Sequence, residues 1–274
     1  MATCALVAGG GASAWASEAP TWLVSNTRYD CIKMLGGAYR SLTECLGGPK
    51  GGAEAWEREA LPHVSGELKE TQLVPATLLA TDFTFRVPLT TITILCTHVT
   101  IDASLTGVRH GHAFFGALVS IECHVVGRTR AECHVTGIGD HEEEITMSVA
   151  GETIYLGSKE EAESEKGRMG ELIEPPEGTK FTELELDGTN CPALEDPGKL
   201  EGDFAGEITP VSSMTKAGAL SFPSEPIVVA WRWKKKGEVE KVNPALKMFG
   251  MTGGEATGKF TLEFGGFEWE LMTS

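Results

Sequence analysis

An all-β protein, an antiparallel β-sandwich or barrel stapled by disulfides with a small Cys-rich segment in front, is what this sequence predicts. Three observations carry that expectation. From about residue 78 onward, short apolar runs alternate with polar residues and are punctuated by Gly, Pro and Asp. Gly and Thr are frequent, and helix formers do not dominate. Beyond Cys4 lie Cys31, Cys45, Cys96, Cys123, Cys133 and Cys191, an even set that reads as a disulfide framework in an exported chain. The 274 residues suffice for one large β domain or two small ones.

Residues 1–16 are small and apolar, with no charge before Glu18, and both Ala12-Ser13-Ala14 and Ala14-Trp15-Ala16 fit a signal-peptidase site. The basic start of a signal peptide is missing, so the segment is expected to be a signal-peptide remnant whose true start lies upstream. The expected location is secreted or at the cell surface. No stretch reaches the roughly 20 apolar residues of a membrane-spanning helix. The formal charge of −16 speaks against nucleic acid and anionic lipid, both of which call for clustered Lys and Arg.

Residues 17–60 form the small Cys-pair module. Cys31, Met34, Leu35, Tyr39, Leu42 and Cys45 fall near helical spacing. A continuous helix, however, would hold the two cysteines about 21 Å apart at 1.5 Å per residue, and disulfide Cα atoms come within about 7 Å. Either the pair is unbonded or Gly36-Gly37 turns the chain back; the turn is the expectation.

The motifs Tyr29-Asp30-Cys31-x-Lys33, Gly37-x-Tyr39, Cys45 and Gly52-Ala53-Glu54-Ala55-Trp56 together resemble a Cys-pair module of secreted actinobacterial proteins. Thr91-x-Thr93-x-x-Cys96, Gly188-x-x-Cys191-Pro192 and Gly206-Glu207-Ile208-Thr209-Pro210-Val211 resemble the β domain of the same group. The resemblance implies export and β architecture, and it implies no activity.

The β domain is expected over residues 61–274. Phe83, Phe85 and Val87 alternate, and strands follow at 91–102, 113–126 and 130–136. Ile145-x-Met147-x-Val149 and Ile154-x-Leu156 read as a hairpin across Ala150-Gly151-Glu152-Thr153. Residues 158–169 carry charge without an apolar stripe and read as a solvated loop. At the end, a Gly265-Gly266 turn would fold residues 260–271 into a hairpin pairing Phe264 with Phe267, Leu262 with Trp269 and Phe260 with Leu271, all on one apolar face.

Candidate chemistry is sparse. Glu122-Cys123-His124-Val125 recurs as Glu132-Cys133-His134-Val135. A three-residue turn between them would set Glu122 opposite His134, His124 opposite Glu132 and Cys123 opposite Cys133; a two-residue turn would shift that register by one. These four side chains are the candidates for a metal site, and His110 and His112 lie nearby. Solvated or hydrogen-bonded histidine is the simpler reading, and neither a metal nor a cofactor is expected. Trp231-Arg232-Trp233-Lys234-Lys235-Lys236 reads as a core strand ending in a basic turn, with Trp231 and Trp233 the candidates for stacking on a sugar. Gly253-x-x-x-x-Gly258-Lys259 nearly matches a phosphate loop, but Phe260 stands where Ser or Thr would ligate magnesium. The expected disulfides are Cys31–Cys45, Cys96–Cys191 and Cys123–Cys133. The expected function is non-enzymatic, structural or in interaction, with self-association or a cell-wall glycan as the candidate partner. A carbohydrate-binding module and a secreted hydrolase with a carboxylate pair are the alternatives.

Overall fold

A computed structural model describes residues 21–272 apart from 25, 48–49, 51, 65–67, 70, 88, 110–111, 139–143, 166–167, 195–196, 236–237 and 265–267. The signal-peptide segment therefore lies outside the described residues. Strand β1 (Thr21–Val24) leads into β2 (Asn26–Lys33), helix α1 (Leu42–Cys45) and β3 (Trp56–Val64). The chain then winds up and down through eight staves. They are β4 (Gln72–Ala80) continued by β5 (Phe83–Arg86), β6 (Thr93–Arg109), β7 (His112–Val125), and β8 (His134–Gly137) continued by β9 (Glu144–Leu156). After helix α2 (Lys159–Glu163) come β10 (Arg168–Glu174) with β11 (Lys180–Asp187), and β12 (Gly198–Gly202) with β13 (Phe204–Thr209). The seventh stave is β14 (Ala217–Phe222), interrupted by the hairpin of β15 (Ala230–Lys235) and β16 (Glu238–Val242) and resumed as β17 (Leu246–Met248). The eighth is β18 (Met251–Glu263), and β19 (Trp269–Met272) ends the chain.

Each stave pairs antiparallel with the next, and β18 pairs back onto β4 and β5, so the sheet closes into a barrel. The alternation that predicted strands decides which side faces in. In β4, Val74, Ala76, Leu78 and Ala80 are buried while Pro75, Thr77 and Leu79 face out. Pro75 fits because β4 pairs on one flank with β2 at residues 72–73 and with β18 only from residue 77, leaving its missing N–H without a ladder partner to serve. A layer of phenylalanines fills the middle of the barrel. Phe83 lies 5.5 Å from Phe222 and 5.2 Å from Phe260, and Phe204 lies 5.2 Å from Phe222.

One end of the barrel is sealed by a two-stranded ribbon of β1 and β19, built from the two ends of the described chain. Trp22, Val24, Trp269 and Leu271 turn inward and are buried, with Phe264 beside the two indoles. The terminal hairpin expected over 260–271 is thus corrected. Its apolar face is real, since Phe260, Leu262, Phe264, Trp269 and Leu271 are all buried. Yet β18 pairs with β14, β4, β5 and β17, and β19 pairs with β1, so the two halves do not pair with each other. Phe267 and the Gly265-Gly266 turn lie outside the described residues.

Two further expectations change. The hairpin expected at 150–153 is one unbroken strand, β9, because Gly151 serves packing rather than turning: the Phe114 ring occupies the place a Cβ would take. The start of the segment expected to be a loop, 158–169, is helix α2, held by a capping box in which Ser158 and Glu161 each accept from the other's backbone N–H.

In the Cys-rich segment the chain does turn back. Gly37 N–H donates to Met34 O across a turn in which Gly36 takes φ 78°, and Cys31 reaches Cys45 with Cα atoms 6.0 Å apart. The other two bridges differ from expectation: Cys96 joins Cys123, and Cys133 joins Cys191, in place of Cys96–Cys191 and Cys123–Cys133. The reason is register. His124 pairs with His134, which sets Cys123 two residues away from Cys133's position, while Cys96 lies directly opposite Cys123 on β6.

Candidate functional site

The outer wall of the barrel carries a groove beneath the Cys-pair module. Strand register builds its floor. Thr77, Asp102, Ala117 and Ser148 form one straight row across four staves, each the ladder partner of the next. Pro75, Ser104 and Phe115 form the adjacent row. Both rows face outward because inward positions alternate with them along each strand. Gly47, at the end of α1, packs on the floor and forms one wall; a Cβ there would come within 2.8 Å of Ser104 Oγ, so only glycine lets the module sit this close. The Cys31–Cys45 bridge and the small core of Leu46, Leu73, Leu42 and Trp56 hold that wall in place.

The space over these rows, bounded on one side by Gly47 and open to solvent, is about 440 Å³. Its polar groups are hydroxyls and one carboxylate: Thr77 Oγ1 donates to Asp102 Oδ1 at 3.2 Å, and Ser104 and Ser148 stand beside them. No Lys, Arg or His is among the described lining residues. Such a surface offers donors and acceptors to a neutral polar ligand and little to an anion. Asp102 is the carboxylate among the described lining residues.

The residues singled out from sequence lie elsewhere. Glu122 does not meet His134. Its backbone takes φ 58°, and its carboxylate accepts from Thr97 Oγ1 (2.9 Å) and lies 3.1 Å from Arg130 Nη1 and 3.9 Å from His98 Nδ1. The Thr97 hydroxyl, then Arg130 and His98, hold its proton affinity below the usual carboxylate range. Glu132 does not meet His124 either. It folds back to accept from Thr129 N–H (2.7 Å) and Thr129 Oγ1 (3.0 Å), which lower its pKa in the same sense. His134 Nε2 lies 3.5 Å from Asp187 Oδ2. Both His–carboxylate pairs expected from sequence are therefore replaced by other partners, and among the described residues no three His, Cys, Asp or Glu side chains gather as a metal site would require. His110 lies outside the described residues, as does the side chain of His112.

Trp231 and Trp233 are half-buried and pack against the main core, and Trp231 Nε1 donates to Gly157 O at 3.1 Å. Two of the basic residues there, Arg232 and Lys234, are already engaged. Arg232 grips the buried Glu152 through Nε and Nη2, both at 2.5 Å, and Lys234 Nζ lies 2.5 Å from Glu240 Oε2. The segment is a strand that clamps the β15–β16 hairpin to the barrel wall.

Sequence reading missed the groove because its residues come from four strands and only their register unites them. The available signal was the run of small and hydroxylated residues at outward positions, without the neighbours that give it meaning. No protein family, curated protein or solved structure matches the chain.

Proposed function

We propose that this is an exported, non-enzymatic binding protein that presents the groove above Asp102 to a neutral, polyhydroxylated ligand such as an extracellular glycan. The observation that carries the reading is the row Thr77, Asp102, Ala117 and Ser148 beside Gly47: an open, hydroxyl-lined surface that carries the Asp102 carboxylate. Export is supported by three disulfides, which persist in oxidising surroundings, and by the resemblance to secreted proteins. No helix among the described residues is long and apolar enough to cross a membrane. The outward face of β18, where a membrane barrel would be apolar, carries Glu255, Lys259 and Glu263. Ligand contact is favoured over assembly through strand edges. The outer strands β3 and β16 bear Glu57, Arg58 and Glu59, and Glu238, Glu240 and Lys241, charges that oppose strand addition.

A glycan array followed by titration calorimetry tests this. Asp102→Ala is expected to weaken the best ligand about tenfold, the loss of one charge-assisted hydrogen bond. Ala117→Trp, which fills the groove from its floor, is expected to abolish binding while leaving the melting temperature within a few degrees. A silent array with folded, fully oxidised protein, or undiminished binding by Ala117→Trp, overturns the assignment.

A further inference from the structure

Inside the barrel, beneath the terminal ribbon, one acid has no reason to be there on packing grounds. Glu171 on β10 is 2% exposed, and its Oε1 accepts from Thr153 Oγ1 at 2.7 Å. Its Oε2 has no hydrogen-bond partner. It borders a small apolar cavity, with room for about one water, whose other walls include Leu78, Leu105, Phe114, Ile208, Leu220 and Leu262, each from a different stave. Trp22 of the ribbon closes the same cavity, and its indole N–H is likewise buried without a partner. An orphan acceptor and an orphan donor thus belong to two side chains that border one apolar cavity, each carrying the desolvation penalty of an unmade hydrogen bond.

No basic side chain offsets the acid. From β9 it meets the Thr153 hydroxyl and the charge of Glu152, whose carboxylate is gripped by Arg232. From β13, Gly206 stands opposite with no side chain, and the cavity walls named above are hydrocarbon. Burial foremost, opposed by the Thr153 hydrogen bond and assisted by Glu152, pushes the carboxyl up to about 8.

The ribbon is the wall that can yield. The other walls are staves hydrogen-bonded on both flanks. The ribbon's two four-residue strands are tied to the barrel rim by a few bonds: Leu68 N–H to Trp22 O (3.3 Å), Ser212 N–H to Leu271 O (2.8 Å), the Thr215–Trp269 exchange, and the Arg28 guanidinium to Val24 O (2.9 Å). We propose that Glu171 is a proton latch for this ribbon: protonated, it tolerates the apolar lumen and the barrel stays sealed; ionised, it draws water past Trp22 and the ribbon lifts.

The sign follows from linkage. In the sealed state the acid holds its proton to about pH 8, whereas in a wetted, open state it releases it near the ordinary value of 4.5. Opening is therefore least favourable in acid, grows between those two values, and levels off above the higher one. Hydrogen–deuterium exchange of the unmodified protein between pH 5 and pH 8, corrected for intrinsic exchange, tests this. Protection of the amides of residues 21–24 and 269–272 is expected to fall on the order of a hundredfold across that interval, while amides of β7 and β18 change far less. In Glu171→Gln the ribbon's protection is expected to be independent of pH and at least as high as the wild-type value at pH 5. A wild-type ribbon whose protection is flat with pH, one that changes in step with the barrel strands, or an unaltered pH dependence in Glu171→Gln overturns the latch. The wild-type comparison decides the matter even if the variant does not fold.

Discussion

Replacing Arg232 with alanine is expected to destabilise the protein by about 3 kcal/mol at pH 7, the lower end of the range for breaking a buried ion pair. Glu152 is 4% exposed and meets the guanidinium through two bonds of 2.5 Å, so the variant leaves a buried carboxylate deprived of that guanidinium. The low end applies because the Arg232 side chain is 32% exposed and water can follow into the vacated site. The consequence is also structural. Arg232 stitches β15 to β9, and the patch beneath the hairpin buries Ile154, Leu156, Leu172, Ala205 and Ala230 on the outside of the barrel. Without the clamp that second small core should open first. Because a buried carboxyl deprived of this guanidinium takes up a proton more readily, its affinity rises in the variant, and the deficit should shrink as the pH is lowered toward 5. The double variant Glu152→Gln/Arg232→Met, which removes both charges, should lie within about 1 kcal/mol of wild type. Urea titrations at pH 7 and pH 5 supply the numbers. A single variant indistinguishable from wild type at both would mean the ion pair is spectator to the fold.

That clamp shows what a sequence yields and what it withholds. The run Ile227-Val228-Val229-Ala230-Trp231-Arg232-Trp233 reads as a strand, and it is one from Ala230. Its basic residues read as a free cationic turn because the acids that neutralise Arg232 lie eighty residues away, on β9, or across the hairpin on β16. Faces were legible wherever a period of two ran unbroken, as in β4 and in Phe260, Leu262 and Phe264. Partners were not. Glycine reads as punctuation at Gly151, where it makes room for a ring, and at Gly265-Gly266, beyond which β19 pairs with the first described strand rather than its predecessor. Such pairing between chain ends leaves no local trace. Helix α2 was legible in principle: Ser158-x-x-Glu161 is a capping box in plain sequence. The groove rows and the Glu171 cavity depend on which residue of one stave stands beside which residue of the next, and alternation alone does not supply that.

The disulfide partners are the sharpest instance of the same difficulty, and removing one bridge should have the largest effect of all. Cys133 and Cys191 are 58 residues apart, so their bond closes the longest loop of the three and restricts the unfolded chain most, by about 4 kcal/mol on the loop-entropy relation. The separation of 14 for Cys31 and Cys45 gives about 3 kcal/mol on the same relation. The native side of the balance agrees. The segment bearing Cys191 is docked on the barrel end by Asn190 N–H to Glu132 O (3.0 Å), and Gly188 lies so close to the Glu132 carbonyl that a side chain would not fit. The bridge therefore locks a contact that already exists rather than forcing one. Cys133→Ala/Cys191→Ala should lose about 4 kcal/mol in equilibrium unfolding and lose hydrogen-exchange protection at residues 188–191, with the groove and ribbon unaffected. Peptide mapping of the non-reduced protein should recover Cys96 joined to Cys123 and Cys133 joined to Cys191. A Cys96–Cys191 peptide in that digest would require β7 to slide against β8 and would undo the register on which the barrel, its groove and its sealed lumen all rest.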